Sequence, residues 1–440
     1  MKIMKFGGTS VGRPERMAQV KDLVTRDNEP TIVVLSALSG TTNALVSIGD
    51  AMASGEKEKA KQLIDTLSAH YSQFINDLLK KESVKAKAIH TINEHFDFLY
   101  IILKISFNDA LNKDILAQGE LMSTKLFSFY LEEMGVDHVL LPALDFMSID
   151  SNDEPQVSVI KSKITKSLEH HPGKSLFITQ GYICRNAKKE VDNLKRGGSD
   201  YSASLIAAAV NASVCEIWTD IDGMHNNDPR VVKSTRPIEQ LSFEEAAELA
   251  YFGAKILHPA SIWPAQQYNI PVKLLNTMQP DAKGTLIVKD AEGEGVKAVA
   301  AKDGIVMLKI KSSRMLLAYG FLRKIFEVFE KYKTSIDMIT TSEVAVSVTI
   351  DNTLHLDQIA KELQPLGELE VIVDQTIVSV VGNKLTQHDN LMTKMFDALC
   401  DIPVNMISFG GSLHNVSILI PTTHKNESLK VLNKGLFGLD

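Results

Sequence analysis

The sequence predicts an α/β protein: an αβα sandwich on a mostly parallel sheet, followed by two ferredoxin-like βαββαβ units. Three observations predict it. Short buried-type strands alternate with amphipathic helices through the first two-thirds of the chain, the rhythm changes after about residue 295, and the C-terminal remainder contains one diverged repeat. Candidate strands lie at 3–6, 31–36, 138–142, 175–180, 215–219 and 272–274. The helix at 16–26 sets Met17, Val20 and Val24 on one face, and Gly135 can end the helix at 115–134 in a left-handed conformation. Strands separated by helices imply a doubly wound sheet, whose ligands bind at the carboxyl ends of the strands.

The second part reads as strand 304–310, helix 320–332, strands 335–340 and 344–350, helix 355–363 and strand 368–373. A second pass gives strand 376–381, helix 389–399, strands 404–408 and 416–420, and helix 425–436. "KIFE" at 324–327 matches "KMFD" at 394–397, and "IDMIT" at 336–340 matches "VNMIS" at 404–408. Two units of this size form ferredoxin-like plaits, with edge strands open to pairing. The expected domains are 1–294, 295–374 and 375–440, with "EGEGVK" at 292–297 as hinge. The strand before Asp303 could belong to either plait.

Composition narrows the class. Of 440 residues 44% are hydrophobic and 23% charged, and the formal net charge is −7. These values fit a soluble globular chain and oppose a nucleic-acid footprint, which needs a basic face. No run approaches a membrane span, and no apolar leader core follows Lys2 and Lys5. Cys184, Cys215 and Cys400 have no metal-ligand spacing and read as reduced, buried thiols of a cytoplasmic protein.

Five clusters, the last with a further segment downstream of it, could carry chemistry. "KFGGTS" at 5–10 ends the first strand with Lys5, Gly7 and Gly8, where main-chain N–H groups and an ammonium can meet an anion; an ordinary turn is the alternative. "SALSGTTN" at 36–43 offers hydroxyls, or a helix-capping loop with Thr42 or Asn43 as N-cap. In "AQGELMS" at 117–123, Glu120 sits on a helix, where a glutamate is usually solvated. The neighbouring Gly119 suggests a close approach there. "KRGGSDYSASLIAAAVNA" at 195–212 opens a helix with Arg196, Gly197, Gly198, Ser199 and Asp200. Its N-terminus favours anions and its arginine can grip a carboxylate or phosphate. "IWTDIDGMHNNDPR" at 217–230 is a turn-rich acidic loop, and "FGAKILHPAS" at 252–261 supplies Lys255. There is no GxxxxGK[ST], no GxSxG and no HExxH.

In this order the five clusters resemble the aspartate kinases of the amino acid kinase family, over essentially the whole chain. The tail resembles their paired ACT domains, and "MLLAYGFLRKIF" with "SIDMITTSEV" resembles the lysine-sensitive monofunctional class. The resemblance implies phosphorylation of L-aspartate by ATP to 4-phospho-L-aspartate, at the head of lysine, threonine and methionine biosynthesis. Mg²⁺ would enter on the nucleotide, with no protein-ligated structural metal. It implies Lys5 and Asp200 as catalytic, with Lys5, Gly7, Gly8, Ser10, Thr219, Asp220, His225, Arg230 and Lys255 on ATP. Ser36, Thr42, Glu120, Arg196, Gly197, Gly198 and Ser199 would hold aspartate, Glu120 facing its ammonium group and Arg196 its α-carboxylate. Regulatory L-lysine would sit around Met315, Phe321, Leu322, Ser335, Ile336, Asp337, Ser342 and Glu343, where ACT units meet across a dimer, possibly within a tetramer.

Some positions depart from the family pattern: Lys195 in place of a glycine, His225 in place of a stacking tyrosine, "GYICRN" at 181–186, and Ala318 in place of a serine. Rival readings are a kinase for glutamate, acetylglutamate or UMP, which the two repeats oppose, and a non-catalytic amino acid sensor, which the retained Lys5, Arg196 and Asp200 oppose. A fusion to homoserine dehydrogenase is not expected, since no GxGxxG unit comes after the second plait.

Overall fold

The structure is a computed structural model and describes residues 1–194, 197–253, 257–315 and 319–439. It divides into two compact units, and the division does not follow chain order. The first comprises 1–224, 239–243 and 257–291; the second comprises 225–238, 244–256 and 292–440. Two internal segments of the expected 1–294 domain, and its last three residues, are therefore grouped with the C-terminal part.

The first unit is built on β1 (Lys2–Phe6), β2 (Thr31–Leu35), β3 (Val139–Leu140), β4 (Leu176–Gln180), β7 (Cys215–Thr219), β8 (Gln240–Ser242), β9 (Val272–Asn276) and β10 (Thr285–Val288), in the order β3-β4-β2-β1-β7-β9-β10-β8. The first six in that order run parallel, β10 runs antiparallel to β9, and β8 pairs parallel with β10. A separate hairpin joins β5 (Ile183–Arg185) and β6 (Val191–Asn193). All six expected strands are present. β5, β6, β8 and β10, at three or four residues each, are too short for a periodicity to mark them.

Met4 and Phe6 point into a core shared with the helices Pro14–Val24, Thr41–Ala53, Lys57–Leu78, Glu82–Ile102 and Asp109–Glu133. Strand alternation then turns Ile3 and Lys5 to the opposite face. The helix Gly198–Val210 packs against β1, β2 and β7, and its run of small residues allows close contact. The helix after β2 begins at Thr41 with Gly40 as its left-handed N-cap (φ +83°), so Thr42 and Asn43 lie inside the first turn and are not caps. Cys184 and Cys215 are buried as expected, but Cys400 is exposed.

The second unit carries an antiparallel sheet of six strands: β11 (Gly295–Lys311), β12 (Ile339–Thr341), β13 (Ala345–Ile350), β14 (Glu368–Asn383), β15 (Met406–Phe409) and β16 (Asn415–Pro421), ordered β12-β13-β11-β14-β16-β15. β11 and β14 run through both plaits. The strands expected separately at 368–373 and 376–381 are one, and 304–310 is the second half of a longer strand. Gly304 (φ +75°) and Asp374 (φ +54°) bend these strands without ending them, and the β11–β14 register shifts there. Residues 295–302 pair only with the later half of β14, so the strand before Asp303 lies with the second plait. The expected hinge shrinks accordingly, since Gly295 already pairs with Asn383. The expected strand at 335–340 is reduced to Ile339–Thr341. One plait core uses the helices Phe321–Lys331 and Leu356–Leu363, the other Leu391–Ala398 and Lys425–Phe437. The helix starts are 391 − 321 = 70 residues apart, as the repeat requires. Among the described residues no helix is long and apolar enough to cross a membrane.

Candidate active site

The carboxyl ends of β1, β2, β4, β7 and β9 share one edge of the first sheet because the five strands are parallel. The backbone continues the ladder past them: Ser36 N–H donates to the Phe6 carbonyl (3.1 Å), Gly181 to Leu35 (2.9 Å) and Thr277 to Thr219 (2.8 Å). Along this edge lie Lys5, Gly7, Gly8, Ser36, Thr219 and Asp220, each at or just past a strand end.

Lys5, on the central strand, places its ammonium 2.6 Å from a carboxylate oxygen of Asp200, in the first turn of the helix Gly198–Val210. Both side chains are mostly covered, 12% and 18% exposed. A Cβ on Gly7 would lie 3.4 Å from the Lys5 ammonium, and one on Gly8 only 2.9 Å from the Ala37 carbonyl oxygen. The two glycines thus let the backbone lie against both the lysine and the next strand end. Gly197 (φ +64°) and Gly198 (φ +51°) adopt the left-handed conformation that opens the helix carrying Asp200. Arg196 and Lys195 lie outside the described residues, as does Lys255.

Glu120 departs from the usual fate of a helical glutamate. The helix Asp109–Glu133 turns it inward, leaving it 4% exposed. Its Oε1 accepts the Ala37 N–H at 3.3 Å, while its Oε2 has no partner among the described residues. Burial pushes the carboxyl up to about 7, against the opposing pull of the Ala37 hydrogen bond. Gly119 explains how Ala37 gets so near: a Cβ there would sit 2.8 Å from the Ala37 Cβ and 3.3 Å from Leu45 Cδ1. Ser36 donates to Ser199 at 2.9 Å, and Ser123 holds the Ser36 carbonyl at 2.7 Å. Residues 36 and 37 therefore tie Glu120 to the start of the helix bearing Asp200. Thr42 is exposed, whereas its neighbour Thr41 is buried against the Tyr71 hydroxyl (3.1 Å).

Ser10 is fully buried, and its hydroxyl shares a 2.8 Å hydrogen bond with Thr277, which joins the segments after β1 and β9. Sequence reasoning also missed Gly181. A Cβ there would lie 2.4 Å from the Ser199 side chain, and a glycine directly after a buried strand was the available signal.

Thr219 is half-buried and Asp220 exposed, joined by a 3.1 Å hydrogen bond. His225 and Arg230 belong to the second unit. His225 is half-buried, with Nδ1 2.9 Å from the Thr235 hydroxyl, and it forms a β-bridge to Pro237. Arg230 is exposed and grips Asp228 with two parallel hydrogen bonds (2.9 and 2.8 Å), which hold the Asp228 carboxyl below its usual range. The loop around them is pinned to the second plait: Asn227 Nδ2 donates to the Leu429 carbonyl (2.9 Å), and Asn226 and Asn227 both reach Asn433 Oδ1 (3.3 Å).

The eight expected regulatory residues separate into two groups. Met315, Phe321, Leu322, Ser342 and Glu343 lie at the end where Lys311 pairs with Ala345 and Ser312 N–H donates to Val344. Ser335, Ile336 and Asp337 lie at the other end, where Asp337 N–H donates to Thr349 (2.9 Å). Four residue steps along the strand separate Ala345 from Thr349, about 13 Å. Ala318 lies outside the described residues.

The chain belongs to the amino acid kinase family, whose model matches residues 1–276, and an ACT-domain model matches residues 378–436. Within that family it groups with the aspartokinases. It is 34% identical to the lysine-sensitive aspartokinase 3 of Escherichia coli (strain K12), over 99% of both chains. It is 33% identical to the chloroplastic aspartokinase 3 of Arabidopsis thaliana, over all of this chain and 82% of that one. Among solved structures it superimposes on E. coli aspartokinase III in complex with aspartate and ADP, described as its R-state, with a TM-score of 0.83 and 32% identity over 99% of this chain and 100% of that one. The same enzyme with lysine and aspartate, its T-state, gives 0.82 at 32% identity over 99% of both chains.

Proposed function

We propose that the chain transfers the γ-phosphoryl group of ATP to the side-chain carboxylate of L-aspartate, giving ADP and 4-phospho-L-aspartate. The observation that carries this reading is the buried Glu120 carboxylate, with one oxygen unpaired among the described residues, tied through residues 36 and 37 to the strand-end glycines and the Asp200 helix. A buried carboxylate of this kind suits a ligand ammonium, and strand-end glycines beside a lysine suit a phosphate.

The chemistry asks little of a base. The acceptor carboxyl, at about 3.9 in model peptides, is already ionised at neutral pH. What the transfer needs is in-line positioning and cationic support for charge moving onto the leaving phosphate. Glu120 takes the aspartate ammonium and Arg196 its α-carboxylate, with Ser199, Ser36 and Thr42 at the pocket wall. Asp200 holds the Lys5 ammonium at the strand end, so that it meets the γ-phosphate from a fixed position. The main-chain N–H groups of Gly7 and Gly8 supply further donors. Magnesium enters as part of the nucleotide substrate, with Thr219 and Asp220 of the first unit as nucleotide contacts.

L-Lysine is the proposed inhibitor. A single free amino acid is too short to touch both regulatory groups across about 13 Å of one hairpin, which supports a site closed by a second copy of the chain. The test is a coupled ATPase assay with L-aspartate, L-glutamate, N-acetylglutamate and UMP as acceptors, with L-lysine and L-threonine then titrated separately. Turnover with aspartate alone, lost on adding lysine alone, is the expected outcome. Turnover with another acceptor and none with aspartate would replace the reading.

A further inference from the structure

Asp337 is not an empty acceptor. Its side chain is 1% exposed, and Oδ1 accepts both from the Lys302 ammonium (2.8 Å) and from the Tyr251 hydroxyl (2.6 Å); Oδ2 has no partner among the described residues. Lys302 also meets Asp351 at 2.8 Å, and its ammonium lies 4.2 Å from the centre of the Tyr251 ring. Tyr251 is the last residue of the helix Phe243–Tyr251. Two residues on, Gly253 adopts φ +133° and fits so closely on β11 that a Cβ would lie 2.1 Å from the Ala301 carbonyl oxygen, next to Lys302. No side chain but hydrogen fits there. The turn two residues before Lys255 is thereby clamped to the strand that carries the counter-ion of Asp337.

We propose that Lys302 and Tyr251 form a relay in which the ammonium group of the effector displaces them from Asp337, releasing the Tyr251–Gly253 turn from β11. This rests on the reading of Asp337 as an effector contact. Lys302 is a resident primary ammonium already seated on the carboxylate that the effector's ammonium would take. The same chemistry that lets the site recognise an amine thus makes the vacant site self-occupied. An effector ammonium seated on Oδ1 in their place breaks the Tyr251 hydrogen bond, and the free energy spent there is the coupling between effector and turn. Tyr251 and Lys302 act as positioning residues in this scheme, without touching either substrate.

The test uses the full-length chain and separates binding from consequence. L-Lysine affinity is measured by titration calorimetry, and the KM values for ATP and aspartate are measured with and without L-lysine. In Tyr251→Phe the ring stays over Lys302 while the hydroxyl is lost, so the effector has one fewer hydrogen bond to break. Lysine should bind about tenfold tighter. The KM for ATP without lysine should rise toward the lysine-saturated wild-type value, while the KM for aspartate stays within twofold. Lys302→Met should move the same quantities in the same direction, and Lys309→Met, on the same strand beside Glu370, should move none of them. Wild-type lysine affinity and an unchanged KM for ATP in both Tyr251→Phe and Lys302→Met would overturn the relay. Absence of lysine binding to the wild-type chain would instead overturn the reading of the effector site beneath it.

Discussion

Two lysine–aspartate pairs, nearly alike in length, do opposite things in the two units. Lys5 and Asp200 meet at 2.6 Å on the edge where the parallel strands end; Lys302 and Asp337 meet at 2.8 Å beside the end of the helix Phe243–Tyr251. The first pair keeps both members partly open to solvent, and the carboxylate proposed for the substrate ammonium, Glu120, is a separate group with no cation on it among the described residues. In the second pair the carboxylate proposed for the effector ammonium is itself the one neutralised. The carboxylate proposed for the substrate thus has no cation on it among the described residues, while the one proposed for the effector already has Lys302 and Tyr251 on Oδ1. Filling the first costs little displacement, whereas filling the second must undo something. A catalytic site benefits from the former and a switch requires the latter.

The largest expected effect breaks the first pair. Lys5→Ala removes the cation nearest the strand-end glycines, and turnover should fall on the order of 10²–10³-fold, as when a single charge-stabilising donor is lost from a preorganised site. The KM for aspartate should stay within about threefold. Lys302→Met, by contrast, should keep turnover at saturating substrates within threefold. Steady-state kinetics on the two variants side by side decide whether the pairs differ in kind; equal losses of turnover would erase the distinction.

Next comes the uncompensated acid. Glu120→Gln should raise the KM for aspartate on the order of tenfold or more, the usual weight of a hydrogen bond to a charged group. Burial pushes the wild-type carboxyl up to about 7, and only its ionised form attracts an ammonium. The KM for aspartate should therefore rise as pH falls from 8 to 6, a trend that Glu120→Gln abolishes. A KM independent of pH in the wild type would remove Glu120 from the ammonium.

Stability gives the same residue a second, smaller signature. A buried carboxyl raised from 4.5 to about 7 favours its protonated form in the folded chain, so it weakens the fold as pH rises through that interval. Glu120→Gln should be more stable than wild type at pH 8, by on the order of 2 kcal/mol at one to two units of effective shift. The advantage should vanish as pH falls toward 4.5. Asp337→Asn should show no such gain, because its removal leaves Lys302 with Asp351 alone. Urea unfolding at the two pH values measures both.

Much of this was legible in the sequence, for local reasons. Glycines beside Lys5 and before Ser199, and the alternation of apolar strands with helices, are written in neighbouring residues. The six main strands and the strand-end position of the site could be read from them. Glu120 shows where local reading stops. Its helix position suggests solvent, and only the close approach of Ala37, which Gly119 permits, buries it. The grouping of 225–238 and 244–256 with the C-terminal unit depends on contacts such as Asn227 to Leu429 and Tyr251 to Asp337, between residues 202 and 86 positions apart, for which no periodicity exists. The continuity of β11 and β14 was hidden by Gly304 and by Asp374, which read as breaks yet sit inside paired strands with positive φ.

The smallest expected effect concerns Ser10, whose hydroxyl the family resemblance offers to phosphate and the structure gives to Thr277. These accounts separate cleanly in Ser10→Ala. If the hydroxyl is a strut, its loss leaves the buried Thr277 hydroxyl without that partner and costs about 1–2 kcal/mol in urea unfolding, while turnover changes less than twofold. If it contacts the phosphate in flight, turnover falls at least tenfold and stability hardly moves. The strut is the expected result, because a group with no exposed surface would have to break a buried hydrogen bond before it could reach a nucleotide. That cost would recur in every catalytic cycle, whereas the amides of Gly7 and Gly8 lie at the strand end without it.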